Sequence, residues 1–183
     1  ITMSVYAQFH KETKPALQTA LKKANIHQTP SVDKVIISVG IGSLATRKGV
    51  KDFSDIEKNI IKITGQKPTM IKSKKAISNF KLREDMPSMF KVTLRRERAL
   101  EFLTKLTTIV LPRVRDFVGL NPKSFDPQHN INIGLTTQGI FPELQTDDAG
   151  ASMGMQVTIV THAESKADAQ ALLQKLGFVF IEK

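Results

Sequence analysis

The 183-residue chain contains no cysteine and no tryptophan, and it has a single tyrosine. The absence of cysteine excludes a disulfide framework, a thiolate zinc site and a cysteine nucleophile, and it fits a reducing compartment. No apolar run approaches the roughly 20 residues of a membrane span. The length and the 40% hydrophobic fraction suit one ordinary core. We therefore expect a single domain spanning residues 1–183.

Recognisable catalytic motifs are also missing. The sequence has no G-x-S-x-G elbow, phosphate-binding P-loop or H-E-x-x-H motif. Its four histidines are His10, His27, His129 and His162, and none has a second ligand at metal-binding spacing. We expect no catalytic residue, no metal and no cofactor. The aromatic signature of an RNA-recognition motif is missing too, so base stacking on a sheet is not expected.

Positive charge is plentiful but unevenly distributed. Of the net +10, residues 1–65 carry +5 and residues 66–98 carry +7, whereas residues 99–183 carry −2. This asymmetry indicates one surface for a polyanion and a different partner for the mildly acidic C-terminal half.

Hydrophobic periodicity predicts an α+β fold. The period of helices and the alternation of strands give helices at 15–25, 52–64, 98–111 and 165–176, and strands at 34–40, 68–73, 90–95, 131–135 and 155–161. This order suggests an antiparallel or mixed sheet with helices packed on one face. The other face is exposed, polar and basic, because it carries Lys91, Thr93 and Arg95.

A long basic loop, residues 73–87, separates two of the predicted strands. Its length is unusual within a compact domain, and such loops are often functional. Basic side chains alternate with apolar ones along it, as phosphate neutralisation and base or sugar packing require. The alternative is a solvated, mobile loop whose apolar residues hold it to its own domain. It lacks the helical period of a membrane-surface segment, so no membrane partner is expected.

Two other functions compete with a specific RNA-binding role. Residues 40–45 match the dinucleotide fingerprint G-x-G-x-x-A, but the next helical periodicity starts only near Asp52. A pyrophosphate site needs a helix to begin at once, and the glycines alternatively allow a sharp turn. The other competing function is a general nucleic-acid binder without preference for one RNA.

Seven motifs in order resemble one family. They are ITGQKP at 63–68, KKAISNFKLR at 74–83, KVTLR at 91–95, LPRVRDF at 111–117, GLNPKSFD at 119–126, IFPE at 140–143 and GMQVTIVT at 154–161. Together they resemble the bacterial-type large-subunit ribosomal protein five family, the ribosomal proteins that bind 5S rRNA. The resemblance extends over nearly the whole chain, from about Pro15 to Phe180.

The resemblance implies a non-enzymatic, single RNA-binding domain in the central protuberance of the large ribosomal subunit. Its implied partners are 5S rRNA, 23S rRNA, P-site tRNA, neighbouring large-subunit proteins and small-subunit ribosomal protein thirteen, which would form an intersubunit bridge with the C-terminal half. The implied location is the cytoplasmic ribosome, with an organellar ribosome as the alternative.

The motifs also carry over site residues. The 5S rRNA contacts implied by the resemblance are Lys34, Ile36, Ser38, Gln66, Thr69, Lys72, Thr93 and Arg95. The tRNA-facing loop residues are Lys74, Lys75, Ser78, Asn79, Phe80, Lys81, Arg83 and Met86. Ser38 stands where the family usually has Asn, and serine has one donor where asparagine has two.

Overall fold

The structure is a computed structural model that describes residues 5–47, 52–115, 117–144 and 153–181. The α-helices are α1 Val5–Gln8, α2 Lys14–Ala20, α3 Gly42–Arg47, α4 Ser54–Thr64, α5 Arg96–Lys105, α6 Leu111–Arg113 and α7 Lys166–Lys175. The strands are β1 Ser31–Gly40, β2 Thr69–Lys72, β3 Pro87–Arg95, β4 Ile131–Leu135 and β5 Met155–His162. None of the helices in these ranges is long and apolar enough to cross a membrane.

The five strands form one antiparallel sheet in the order β2-β3-β1-β5-β4. Side chains alternate along each long strand, and the buried ones are Val35, Ile37 and Val39 of β1, Phe90, Val92 and Leu94 of β3, Ile131, Ile133 and Leu135 of β4, and Met155, Val157 and Ile159 of β5. A period of two places these apolar residues on one face, where the apolar sides of the helices cover them. The predicted α+β class, with a polar opposite face, is confirmed.

Two helical segments extend beyond the predicted bounds at their proline ends, although α2 stops at Ala20, before the predicted residue 25. A π turn, Phe9–Thr13, joins α1 to α2, and a second one, Leu106–Val110, joins α5 to α6. Each helix therefore continues through a proline. Pro15 lies at the predicted start of the first helix, and Pro112 directly follows the predicted end of the other. A proline ring clashes with the carbonyl four residues earlier, and here that carbonyl lies within the wider π turn.

Two helix ends carry recognisable local signals. Gly65 closes α4 in a left-handed conformation with φ of 66°, which costs glycine little. The side chain of Ser165 accepts a hydrogen bond from the backbone N–H of Asp168 at 3.2 Å and so caps α7.

Contacts divide the chain into two compact units. The first unit comprises residues 1–35, 94–133 and 158–183 and has Leu103, Leu106 and Ile159 in its core. The second comprises residues 36–93 and 134–157 and is centred on Ile60 and Phe90. The single-domain assignment stays a prediction.

Candidate nucleic-acid interface

Strand β1 presents Lys34, Ile36 and Ser38 on the side opposite its buried residues. Val35, Ile37 and Val39 are at most 1% exposed, whereas the three residues between and beside them are half-buried. The strand therefore offers a short row of partly accessible groups with a hydroxyl, an aliphatic surface and an ammonium group. These are the three positions that the resemblance implies for 5S rRNA contact.

Gln66 is fixed beside strand β3 in the second unit. Its backbone N–H donates to Thr64 Oγ1 at 3.3 Å, and Thr64 Oγ1 in turn donates to the Gln66 carbonyl at 3.1 Å. The Gln66 side-chain amide then reaches Thr93, donating from Nε2 to the backbone carbonyl at 3.4 Å. Gln66 and Thr93 are thus brought together, and the Gln66 side-chain oxygen and the Thr93 hydroxyl remain as polar groups for a ligand.

Strand β2 adds exposed groups at the edge of the sheet. Thr69 and Lys72 are both exposed, and Thr69 pairs with Lys91 across the β2–β3 ladder. The register shifts between Ile71 and Lys72. The edge strand β2 and its neighbour β3 therefore present one hydroxyl and two ammonium groups.

Arg95 ends β3 in the first unit and remains largely accessible. Its side chain is 58% exposed, and its guanidinium lies 3.9 Å from Asp33, whose carboxylate is also 3.2 Å from the Lys34 ammonium group. At such exposure these ion pairs contribute little to stability. Arg95 and Lys34 can therefore exchange Asp33 for an RNA phosphate at small cost.

The basic loop is folded back on itself. The Ser73 N–H donates to the Met86 carbonyl at 2.9 Å, and the Ser73 hydroxyl donates to the Arg83 carbonyl at 2.5 Å. Nearer the tip, Ile77 and Leu82 form an isolated antiparallel bridge. The loop is thus a distorted hairpin with a defined backbone path.

The loop tip exposes both its basic and its apolar side chains. Phe80 is 72% exposed and Ile77 is 44% exposed. All the predicted tRNA-facing residues are exposed except Met86, which is half-buried: the exposed ones are Lys74, Lys75, Ser78, Asn79, Phe80, Lys81 and Arg83. The alternative in which the apolar residues hold the loop down is wrong for Phe80, which is mostly exposed.

The glycine motif after β1 differs from expectation in its local structure. Helix α3 begins at Gly42, directly after the strand, whereas the sequence suggested no helix before Asp52. Neither Gly40 nor Gly42 has a positive φ, so the turn does not depend on glycine's conformational freedom. The fingerprint still lacks the parallel βαβ unit that a dinucleotide site uses, because the sheet is antiparallel.

Some polar features were missed by sequence reasoning. Arg96, which opens α5, has φ of 52°, and no periodicity signals such a conformation. Thr158 donates to Asn132 Oδ1 at 2.6 Å across β5 and β4. Within the described ranges, no cluster of three or more histidine, aspartate or glutamate side chains could hold a metal ion.

Comparison with known proteins decides the family. A model described as "Ribosomal protein L5" matches residues 25–83, and a second model, which describes the C-terminus of the same ribosomal protein family, matches residues 87–180. The chain belongs to the ribosomal protein L5 family. Large ribosomal subunit protein uL5 of Thermotoga maritima is 46% identical over 176 residues, covering 94% of this chain and 93% of the relative. The uL5 proteins of Thermus thermophilus and Halothermothrix orenii are 42% and 44% identical, and each alignment covers at least 97% of both chains.

Family membership confirms the coarse functional prediction. The protein is a structural, rRNA-binding constituent of the large ribosomal subunit that takes part in translation, and it is not an enzyme. The relatives are bacterial, which supports a cytoplasmic ribosomal location and gives no support to the organellar alternative.

Proposed function

We propose that the protein binds 5S rRNA and helps to attach it in the central protuberance of the large subunit. The observation that carries this proposal is the pairing of Gln66 with Thr93. It holds the Gln66 amide against the backbone of Thr93, on a strand that ends in the accessible Arg95.

The chemistry of these groups suits a folded RNA. Amide and hydroxyl groups can reach 2′-hydroxyls and base edges in the shallow minor groove, while Lys34 and Arg95 neutralise phosphates. Ile36 supplies an apolar surface for a ribose. Thr69 and Lys72 extend the same chemistry to the edge strand.

The basic loop serves a second RNA in this proposal, the elbow of the P-site tRNA. Its hairpin backbone is defined by its own hydrogen bonds, yet Phe80 at the tip contributes little to the core because it is mostly exposed. An ordered loop with an exposed aromatic ring among lysines can approach a mobile RNA partner without loss of fold.

The remaining partners are proposed from the charge distribution and the family resemblance. The net −2 of residues 99–183 favours a basic protein neighbour, and we propose small-subunit ribosomal protein thirteen for that intersubunit contact. The balance of +5 in residues 1–65 leaves further basic groups for 23S rRNA, and neighbouring large-subunit proteins complete the environment.

Two variants with opposite expectations test this division of labour. Arg95→Ala should weaken 5S rRNA binding and lower the slope of log affinity against log salt by about 0.7–0.9. The double variant Lys74→Ala, Lys75→Ala removes twice the charge and should leave 5S binding nearly unchanged. Filter binding across a salt series measures both. Loss of 5S binding in the double variant, with normal binding by the Arg95 variant, would reverse the assignment.

A further inference from the structure

A cleft of about 640 Å³ opens within the first unit. Its walls come from α1 and the π turn after it, the start of β1, the start of α5 and the end of β5. The charged and titratable side chains that line it are Tyr6, His10, Lys14, Asp33, Arg96 and His162. Its volume lies within the range of about 300–1,000 Å³ that is usual for ligand sites.

The charge in this cleft favours an anion. Lys14 and Arg96 are cationic side chains, and Asp33 is the only carboxylate among the described residues that line the cleft. Both oxygens of Asp33 are already directed at cations, Oδ2 at Lys34 at 3.2 Å and Oδ1 at Arg95 at 3.9 Å. With Asp33 counted in full, the described charged side chains Lys14, Arg96 and Asp33 still give the cleft a net positive charge.

Arg96 is held in a conformation that its own chemistry disfavours. Its φ of 52° is left-handed, a region that glycine adopts readily and arginine adopts at a cost. Backbone strain of this kind concentrates at functional sites. A glycine would close the junction of β3 and α5 more easily, so the arginine at this position is a candidate for a binding role.

We propose that this cleft binds a backbone phosphate of 5S rRNA through Arg96 and Lys14. This inference rests on the proposed 5S rRNA binding and adds a contact to it. Arg95 and Arg96 are adjacent, and Asp33, which faces Arg95, also lines the cleft. One RNA strand that contacts Arg95 can therefore continue into the cleft. The planar guanidinium of Arg96 suits the paired oxygens of a phosphodiester.

The decisive variant is Arg96→Gly, because fold and binding should respond in opposite directions. Removing the strained side chain should leave the melting temperature unchanged or raise it. The same change should weaken 5S rRNA binding by roughly tenfold, as expected for loss of one charged hydrogen-bonding group, and lower the salt slope by about 0.7–0.9. Arg98→Ala is the matched control, since it removes one exposed arginine that does not line the cleft.

Equal 5S affinity for the Arg96→Gly and Arg98→Ala variants would overturn the proposal. If the Arg96→Gly variant does not fold, the 5S rRNA affinity of a Lys14→Ala variant, again compared with Arg98→Ala, tests the proposal instead. Inorganic phosphate at matched ionic strength should not displace the RNA from the wild-type chain. If phosphate lowers the wild-type affinity for 5S rRNA to that of the Arg96→Gly variant, the cleft binds a free anion and the RNA assignment is contradicted. If the wild-type chain fails to bind 5S rRNA, the proposed function itself is wrong.

Discussion

Replacing Phe80 with Ala separates a ligand-binding role of the basic loop from a structural one. The ring is 72% exposed, so about a quarter of its surface is covered by the chain. A phenylalanine offers roughly 150–250 Å², so about 50 Å² is buried, worth about 1 kcal/mol at about 25 cal/mol per Å². Phe90 is the contrast, because it is 2% exposed and its truncation should cost about 3–5 kcal/mol.

Chemical denaturation of the purified variants measures both values. We expect Phe80→Ala to lower the free energy of unfolding by no more than about 1 kcal/mol and Phe90→Ala to lower it several times more. Ribosomes that contain the Phe80 variant should keep normal 5S rRNA content and bind P-site tRNA more weakly. The reasoning fails if Phe80→Ala destabilises the chain as much as Phe90→Ala, or if P-site tRNA affinity is unchanged.

Three further predictions concern stability and affinity. Gly119→Ala should destabilise the chain by about 1–3 kcal/mol, because φ is 135° and a Cβ would lie 3.1 Å from backbone atoms. The control Gly134→Ala has open space around the added Cβ and should leave the melting temperature nearly unchanged. Burial opposes ionisation of Asp126, but hydrogen bonds from Asn130 and the Gln128 N–H outweigh it and lower the Asp126 pKa. This stabilisation is present above the unfolded-state pKa and is lost as pH falls through the folded-state pKa of Asp126. The difference in unfolding free energy between wild type and Asp126→Asn should therefore close below about pH 4. A difference that stays constant with pH would contradict this linkage. Ser38→Asn should tighten 5S rRNA binding by roughly 3- to 10-fold in filter assays, since it adds a donor, and unchanged affinity would remove Ser38 from the interface.

The strands and the helix ends were largely predictable, because their signals are local. Alternation in β1 and β3 identifies which side of each strand is buried, and that prediction also located Thr93 and Arg95 on the accessible side. Gly65 ends α4 and Ser165 begins α7 for reasons contained in a few neighbouring residues.

The features that sequence reasoning missed depend on tertiary structure. A proline normally ends a helix. Only the fold shows that a π turn before Pro15 and before Pro112 lets each helix continue through its proline. The left-handed conformation of Arg96 is imposed by the junction of β3 and α5. Whether Phe80 anchors the loop or faces solvent depends on what packs against it, which no local pattern encodes.

The central claim is that the chain recognises 5S rRNA specifically. The most direct measurement is to express the tagged protein in excess over ribosomes, purify it at moderate salt and sequence the RNA that co-purifies. The account predicts enrichment of 5S rRNA that persists in competition with duplex DNA and falls in the Arg95→Ala variant. Equal displacement by duplex DNA, or recovery of tRNA in place of 5S rRNA, would contradict it.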